Sequence, residues 1–454
     1  MDWETSIKRR DLFRFIRFIM YYAYMHSFHL ERCLPENLYD LGVLLELIWE
    51  IFLYFVAIHI VILYMCTFYL NYHKGDLELL VNCVMQIIIY LWSIIVKVYF
   101  RRLQSKRLED LIDFINLNYK TRSAIGFTYV TMDDSWLMAY NWTKRYVYCC
   151  FLGTTFWLIL PIAYGDRSLP LACWYPFDYK QPFIYETMYL LQSVGQIQTA
   201  AAFSASSGFY MTLCIVISGQ YDVLFCSLKN ILATAAINRK HKIEVRELYV
   251  KQTFAAAEIN EFYCSKEITC DIDTLVRAIK NGKRQDFHCH FRNALKKCVD
   301  HHRYIMKCLN KMEDFYSPIW FFKTGQVVSL MCLVAFAAVK TINGNSSFMK
   351  IISLGQYLML VALELLIICY FGEVIFINSQ RCGEALLRSP WYLHMCEMKY
   401  DFIFFVLNSK RSFQLTAGRM YALNVECFKS ILSTAFSFLT LLQNMDQRRE
   451  GKQH

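Results

Sequence analysis

Six stretches of the chain are apolar for long enough to cross a bilayer, which takes about 20 helical residues. They are 42–69, 79–100, 146–165, 187–217, 318–340 and 351–376. A seventh, 424–443, is shorter and more polar, and its periodicity argues for it. Ser430, Ser433, Ser437, Thr440 and Asn444 step by 3, 4, 3 and 4, which puts them on one helix face. The other faces carry Leu432, Ala435, Phe436, Phe438, Leu439, Leu441 and Leu442. A hydroxyl stripe on an apolar span suits a water-filled pore, because lipid leaves such groups without partners. Back-bonding of serine and threonine to their own helix is the alternative. The pattern predicts an all-α, polytopic membrane protein with seven transmembrane helices and no internal repeat.

Between the spans, polarity alternates. Lys8, Arg9 and Arg10 precede the first span, and Arg101, Arg102, Lys106 and Arg107 follow the second. The segment from Lys229 to Lys311 holds 17 Lys and Arg, and Arg381, Arg388, Lys410 and Arg411 follow the sixth span. The other connectors hold little: Lys74 in 71–78, and Arg167 with Lys180 in 166–186. Basic residues stay on the cytoplasmic side, so the N-terminus is expected in the cytosol and the C-terminus outside. That orientation is the reverse of a G-protein-coupled receptor. The expected divisions are a cytoplasmic amphipathic segment 1–41, spans one to four in 42–217, and a cytoplasmic helical region 218–317 that extends spans four and five. Spans five and six follow in 318–376, then a cytoplasmic segment 377–423, the final span 424–443 and an external tail 444–454. Region 218–317 is too long for a bare loop, and Tyr304, Ile305, Cys308, Leu309 and Met312 set against Arg303, Lys307 and Lys311 give it helical amphipathicity.

Composition agrees: 56% of the 454 residues are hydrophobic, and only 19% are charged against roughly 25% in a soluble domain. The net charge of +10 is dispersed between apolar segments and so does not point to nucleic acid. Asp2 and Glu4 open the chain, and Arg14 and Arg17 interrupt its first apolar run, which does not suit a cleavable signal. Most of the 18 cysteines fall in spans or cytosolic segments, where they act as small apolar residues. Cys173 is the one in an outer loop.

Candidate chemistry is sparse. The sequence contains no Gly-x-Ser-x-Gly elbow, His-Glu-x-x-His helix or P-loop, so no enzyme is specified. His288, Cys289, His290, Cys298, His301, His302 and Cys308 cluster without paired Cys-x-x-Cys spacing, and neither a metal nor a cofactor is expected. The sequon Asn345-Ser346-Ser347 lies in an outer loop, open to glycosylation; Asn141-Trp142-Thr143 lies on the cytoplasmic side. Glu364, midway along span six, costs about 2.5–3.5 kcal/mol in a bilayer and must find a partner. It reads as a helix-packing residue, a ligand anchor or a gating contact. His59 reads as a satisfied interior histidine.

Several segments together resemble the insect odorant receptors. Glu384-Ala385-Leu386-Leu387-Arg388-Ser389-Pro390-Trp391-Tyr392 looks like the stretch after that family's sixth span. Gln414-Leu415-Thr416-Ala417-Gly418-Arg419-Met420-Tyr421 is similar to its approach to the last helix, and Ser433 through Leu442 to its terminal signature. The aromatic loop from Leu169 to Asp178 and a Gly219-Gln220-Tyr221-Asp222 turn are also similar. Phe436 and Phe438 depart from the family's usual tyrosines. Phe436-Ser437 also stands where the related gustatory receptors have Thr-Tyr, and Gln443-Asn444 where they have Gln-Phe. This favours an odorant receptor over a gustatory one and over the shared co-receptor.

The resemblance implies a tetrameric, ligand-gated, non-selective cation channel formed with the co-receptor in the plasma membrane of olfactory sensory neuron dendrites. It implies a small volatile odorant held in the outer half of the bundle by spans two, three, four and six. Placed by depth, the candidates are Met85, Gln86 and Tyr90, then Phe156, Trp157 and Leu160. Leu191, Gln192 and Gly195 on span four and Tyr357 and Leu360 on span six complete them. Ordinary helix packing is the alternative for each. The pore falls to Ser433, Ser437, Thr440 and Gln443, with Phe436 or Leu439 nearest a hydrophobic gate. A gustatory-type channel without the co-receptor, and a transporter or membrane enzyme, are the rival readings.

Overall fold

The structure, a computed structural model, describes residues 10–26, 39–74, 77–123, 130–164, 167–237, 257–259, 266–268, 284–343, 348–389, 391–409 and 411–450. Seven of its helices have 22 residues or more: α2 (Tyr39–Asn71), α3 (Leu77–Val98), α5 (Met132–Tyr164), α6 (Ile184–Lys229), α8 (Arg284–Asn343), α9 (Phe348–Leu387) and α11 (Val425–Glu450). Shorter helices join or flank them: α1 (Arg14–Tyr22), α4 (Ser105–Asn118), α7 (Ile231–Ile237) and α10 (Met395–Ser409). Each expected span lies largely within one long helix. Among the described residues, five of these, α2, α3, α6, α8 and α9, are long and apolar enough to cross a membrane. Among the described residues the fold is helical and membrane-type, apart from two short antiparallel ladders, Ala257–Ile259 with Lys266–Ile268 and Thr416–Ala417 with Tyr421–Ala422, and a single bridge between Arg122 and Thr131.

The centre of the bundle is α6. From Ala201 to Leu228 nearly all of its residues are buried, and Ala201, Ala202, Ser204, Ala205, Ser206, Ser207 and Gly208 give it a run of small side chains. Small residues let helix backbones approach closely where lipid supplies no hydrophobic drive. Around α6 pack α5, α9, α1, α2, α3 and α8. Amphipathic α1 buries Ile16, Ile19 and Met20, and Phe13 meets Phe209 edge to face at 5.8 Å.

Several helices outrun the bilayer. At about 1.5 Å per residue, the 60 residues of α8 span about 90 Å against roughly 30 Å of hydrocarbon. Much of it therefore extends beyond the hydrocarbon, and it packs on α4, α7 and α6 as well as on α3, α9 and α11. Of the region 218–317, residues 218–229, 231–237 and 284–317 are helical, and 238–256, 260–265 and 269–283 lie outside the described residues. The turn expected at Gly219–Asp222 does not form. These residues continue α6 without a break, because Gln220 is held from outside the helix. Its amide donates to the Lys120 carbonyl at 2.9 Å, and its Oε1 accepts from the Lys120 N–H at 2.9 Å. His301 Nε2 also lies 3.0 Å from that Oε1. A turn at this point would discard all three contacts.

At the same end, Arg101 sits 2.9 Å from Glu46 and 3.4 Å from Glu50, and Arg102 is 2.6 Å from Glu50. These pairs fasten α3 to α2 just inside the expected membrane boundary.

Candidate ligand pocket and the path to the last helix

A cavity of about 120 Å³ opens between α3, α5, α6 and α9, the four helices that carry expected spans two, three, four and six. Each helix presents one face to it. On α5 the lining residues are Tyr146, Cys150, Gly153, Thr154 and Trp157, at helical offsets of 4, 7, 8 and 11. On α6 they are Gln196, Thr199, Ala200 and Phe203, and on α9 Tyr357, Leu360, Val361 and Glu364, both in the i, i+3, i+4, i+7 pattern of a single helix face. Met85, Gln86 and Ile89 come from α3. The walls are mainly apolar and aromatic with a few polar groups, the usual make-up of a small-molecule site.

Of the residues placed by depth, Met85, Gln86, Trp157, Tyr357 and Leu360 line this cavity. Tyr90, one position past Ile89, turns to a separate cluster with Ile60, Tyr64, Cys83 and Cys173. Gly195 packs against Val56, Ile60 and Tyr90. Gln192 serves the outer loop: its Oε1 accepts from the Leu171 N–H at 2.9 Å, and its amide donates to the Leu171 carbonyl and the Tyr175 hydroxyl, each at 3.2 Å. Leu191 and Phe156 are half-buried and outside the cavity wall, and the Leu160 side chain lies outside the described residues. On α6 the cavity sits about one turn deeper than depth alone placed it. The i, i+3, i+4, i+7 spacing from Trp157 and Tyr357 was the signal for Cys150, Gly153, Thr154, Val361 and Glu364.

The deep end is charged. Glu364 and Lys323, with relative exposures of 4% and 1%, form an ion pair at 2.8 Å between α9 and α8. Ser207 of α6 donates to the other Glu364 oxygen at 2.8 Å. The Lys323 ammonium also sits 4.3 Å from the Phe203 ring centroid and 5.1 Å from that of Trp92, within cation–π range. Removing one partner of such a pair strands a buried charge, at about 3–5 kcal/mol.

From this pair a short chain of contacts leads to the last helix. Thr324, next to Lys323, shares a hydrogen bond with the Tyr421 hydroxyl. Tyr421 belongs to the ladder that precedes α11, and α8 grips the rest of that ladder. The Glu313 carboxylate accepts from the Thr416 N–H at 3.0 Å, and the Ser317 carbonyl accepts from the Gly418 N–H at 2.7 Å. Gly418 takes φ +61° at the turn, a left-handed conformation that costs glycine nothing. Asn424 then caps α11, its Oδ1 accepting from the Cys427 N–H at 2.7 Å.

On α11 the polar stripe is exposed: Ser430, Ser433, Ser437, Thr440 and Asn444 all face away from the subunit. Ser437 donates to the Ser433 carbonyl at 2.9 Å and Thr440 to the Ser437 carbonyl at 2.8 Å. The hydroxyls thus both back-bond and remain on the free face. Phe436 is 61% exposed beside them. Ala435 is buried and Leu439 packs against the same internal cluster, so these two face the subunit's own core. Gln443 is half-buried.

The remaining candidates fall elsewhere. His59 is half-buried, stacked with Phe55 and near Tyr175, and its Nδ1 has no hydrogen-bond partner. Cys173 is unpaired, and burial raises its thiol pKa to about 12. Among the described residues, no three of His, Cys, Asp and Glu stand together as metal ligands. Asn345 lies outside the described residues. A second cavity of about 590 Å³ is lined by Arg107, Lys311, Glu313, Asp314 and Arg419 among others, and it offers an apolar volatile no comparable wall.

A helical membrane bundle with a mainly apolar pocket between four of its helices, linked by hydrogen bonds to the hairpin before the last helix, has the frame of a membrane receptor. The comparisons with known proteins specify which kind. The family profile described as 7tm Odorant receptor matches residues 78–436. Odorant receptor 83a of Drosophila melanogaster is 53% identical over 98% of both chains. Putative odorant receptor 85e of the same species is 31% identical over 91% of this chain and 88% of its own. The solved structure of the olfactory receptor OR5 from Machilis hrabei in complex with eugenol superposes with a TM-score of 0.67 at 14% identity, covering 96% of this chain and 98% of that one. The chain belongs to the insect odorant receptor family, among its tuning receptors and apart from the co-receptor.

Proposed function

We propose that this chain is the ligand-binding subunit of an odorant-gated, non-selective cation channel, assembled with the odorant co-receptor in the plasma membrane of olfactory neuron dendrites. Its N-terminus lies in the cytosol and its C-terminus outside. The observation that carries the reading is the continuity between the cavity and α11 through Glu364, Lys323, Thr324 and Tyr421.

A small volatile enters the cavity between α3, α5, α6 and α9. The neighbouring structure bound to eugenol supports the choice of ligand class. Opening draws its free energy from tighter ligand binding in the open state. The pull on α8 and α9 moves the hairpin at Thr416–Ala422 and with it α11. Ser433, Ser437 and Thr440 line the conduction path, Gln443 stands near its outer end, and Phe436 forms the apolar ring that parts. The exposed stripe supports this role, since its hydroxyls reach the subunit surface.

The test is co-expression with a co-receptor and recording against a panel of volatiles, with a tag placed after residue 454. Fast ligand-evoked current that needs both chains, and a tag reached by antibody on intact cells, are expected. Current without the co-receptor would favour the gustatory-type reading. A tag reached only after permeabilisation would overturn the orientation.

A further inference from the structure

We infer that Glu364 is the polar anchor of the cavity, and that the site selects small neutral volatiles bearing a hydroxyl, alcohols and phenols, over hydrocarbons, carbonyl compounds and ionised ligands of equal size. The inference deepens the proposed function and rests on it.

Glu364 lines the cavity, whereas Lys323 does not. Of the buried pair, the carboxylate is thus the member at the wall. An ionised carboxylate offers about four lone-pair sites; Ser207 takes one and Lys323 another. Acceptor capacity is left, and a ligand O–H is the simplest group to meet it. At Glu364 a carbonyl or ether oxygen brings only lone pairs, which the carboxylate repels, so such a ligand must turn its oxygen to Gln86, Gln196 or a hydroxyl elsewhere on the wall and forgo the charged anchor.

Charge balance excludes ionised ligands. The Lys323–Glu364 pair sums to zero, and the other lining side chains are uncharged. An ammonium or carboxylate ligand would add a charge with no counter-ion, and burying an unpaired charge is costly.

Size sets the third limit. Drug-sized pockets run to about 300–1,000 Å³, while an apolar cavity of about 150 Å³ takes benzene. At about 120 Å³ and open on one side, this one holds a short chain, or a single ring that extends into its opening, with the hydroxyl at the Glu364 end.

The experiment measures binding of benzyl alcohol, toluene, benzaldehyde and benzylamine to the full chain in lipid nanodiscs, by quenching of tryptophan fluorescence and by the thermal unfolding shift. Benzyl alcohol is expected to bind roughly ten- to hundredfold tighter than toluene and benzaldehyde, the range of a hydrogen bond to a charged group, with benzylamine weakest. Joint replacement Lys323→Met and Glu364→Leu removes both charges and is expected to level benzyl alcohol with toluene while toluene binding persists. Glu364→Gln, which keeps the shape, is expected to narrow the preference roughly fivefold or more. Equal binding of benzyl alcohol and toluene to the unaltered chain, or a preference that survives these replacements, overturns the anchor while leaving the pocket intact. Failure of all four probes to bind would remove the pocket reading and the anchor together.

Discussion

Thr324 and Tyr421 share a hydrogen bond between their side-chain hydroxyls, one residue beyond the Lys323 that pairs with Glu364 at the cavity. The ligand pocket and the hairpin that launches α11 are therefore joined through consecutive residues of one helix. Such a join transmits motion only if α8 moves as a unit, and its close packing on α6 and α9 supplies that stiffness.

Breaking the join should weaken gating while sparing binding. A neutral hydrogen bond is worth about 0.5–1.5 kcal/mol, so Thr324→Val or Tyr421→Phe is expected to shift the half-maximal agonist concentration by about two- to twelvefold. Ligand affinity, measured on the isolated chain, should stay constant. An unchanged concentration–response curve in both variants would remove the link from the gating path.

Cavity size should set which ligands act. A Cβ added at Gly153 would stand 2.8 Å from Gln356 Nε2 and 2.9 Å from Leu360 Cδ1, so Gly153→Ala crowds the wall. Potency should fall most for the bulkiest active volatiles, by about 1–3 kcal/mol per methylene lost from the fit. Trp157→Ala should do the reverse and admit longer chains. A ranking of volatiles left unchanged in both variants would place the ligand elsewhere.

Acid should destabilise the packing of α8 on α6 around His301 and Gln220. Burial, with Lys120 and His302 beside it, holds the His301 pKa well below the usual 6.5. Folded His301 therefore stays neutral, donating from Nε2 to Gln220, while the unfolded chain takes up a proton below about pH 6.5. The contribution is complete above that pH and is lost as pH falls below it. His301→Gln should flatten the decline, read as unfolding temperature in nanodiscs from pH 7.5 to 5. An unaltered pH slope would count against the assignment.

Much of the architecture was legible because a bilayer leaves few choices. Backbone groups with no water must bond within helices, so apolar length pointed to six of the long helices and the polar stripe to α11. The faces were harder. Depth brought Gln86, Trp157 and Tyr357 to the cavity but also chose Gln192, whose amide closes the outer loop over the bundle. The side chain that decides between the two uses, Leu171 to Tyr175 against the cavity, is fixed by loop contacts that no helical periodicity encodes. Glu364 announced its need for a partner, yet Lys323 looked like the start of a span. Only the crossing of α8 and α9 brings the two together. The same limit explains the Gly219–Asp222 turn, which rested on the family resemblance, whereas Gln220 binds Lys120 and lies beside His301 within α6.

Phe436 and Leu439, both on α11, should behave differently although sequence gave them the same role. At about 100° per residue, Phe436 lies roughly 60° from Ser433 and next to the exposed stripe, whereas Leu439 lies roughly 120° away on the other side of Phe436 and packs inward. Truncating an inward leucine unpacks the subunit, toward the lower end of about 2–5 kcal/mol for a partly buried site. Leu439→Ala should therefore lower surface expression and leave the open-channel current per receptor unchanged. Phe436→Ala removes an apolar group from the free face and should raise current in the absence of ligand, as expected where dewetting at an apolar constriction keeps a pore shut. Thr440→Asp, on the stripe itself, should increase cation over anion permeability without moving the agonist midpoint. Recordings paired with surface labelling separate the three effects. If Leu439→Ala raised unliganded current while Phe436→Ala did not, the pore would lie on the face that packs against α8 and α9, and the exposed stripe would face lipid or a neighbouring subunit instead.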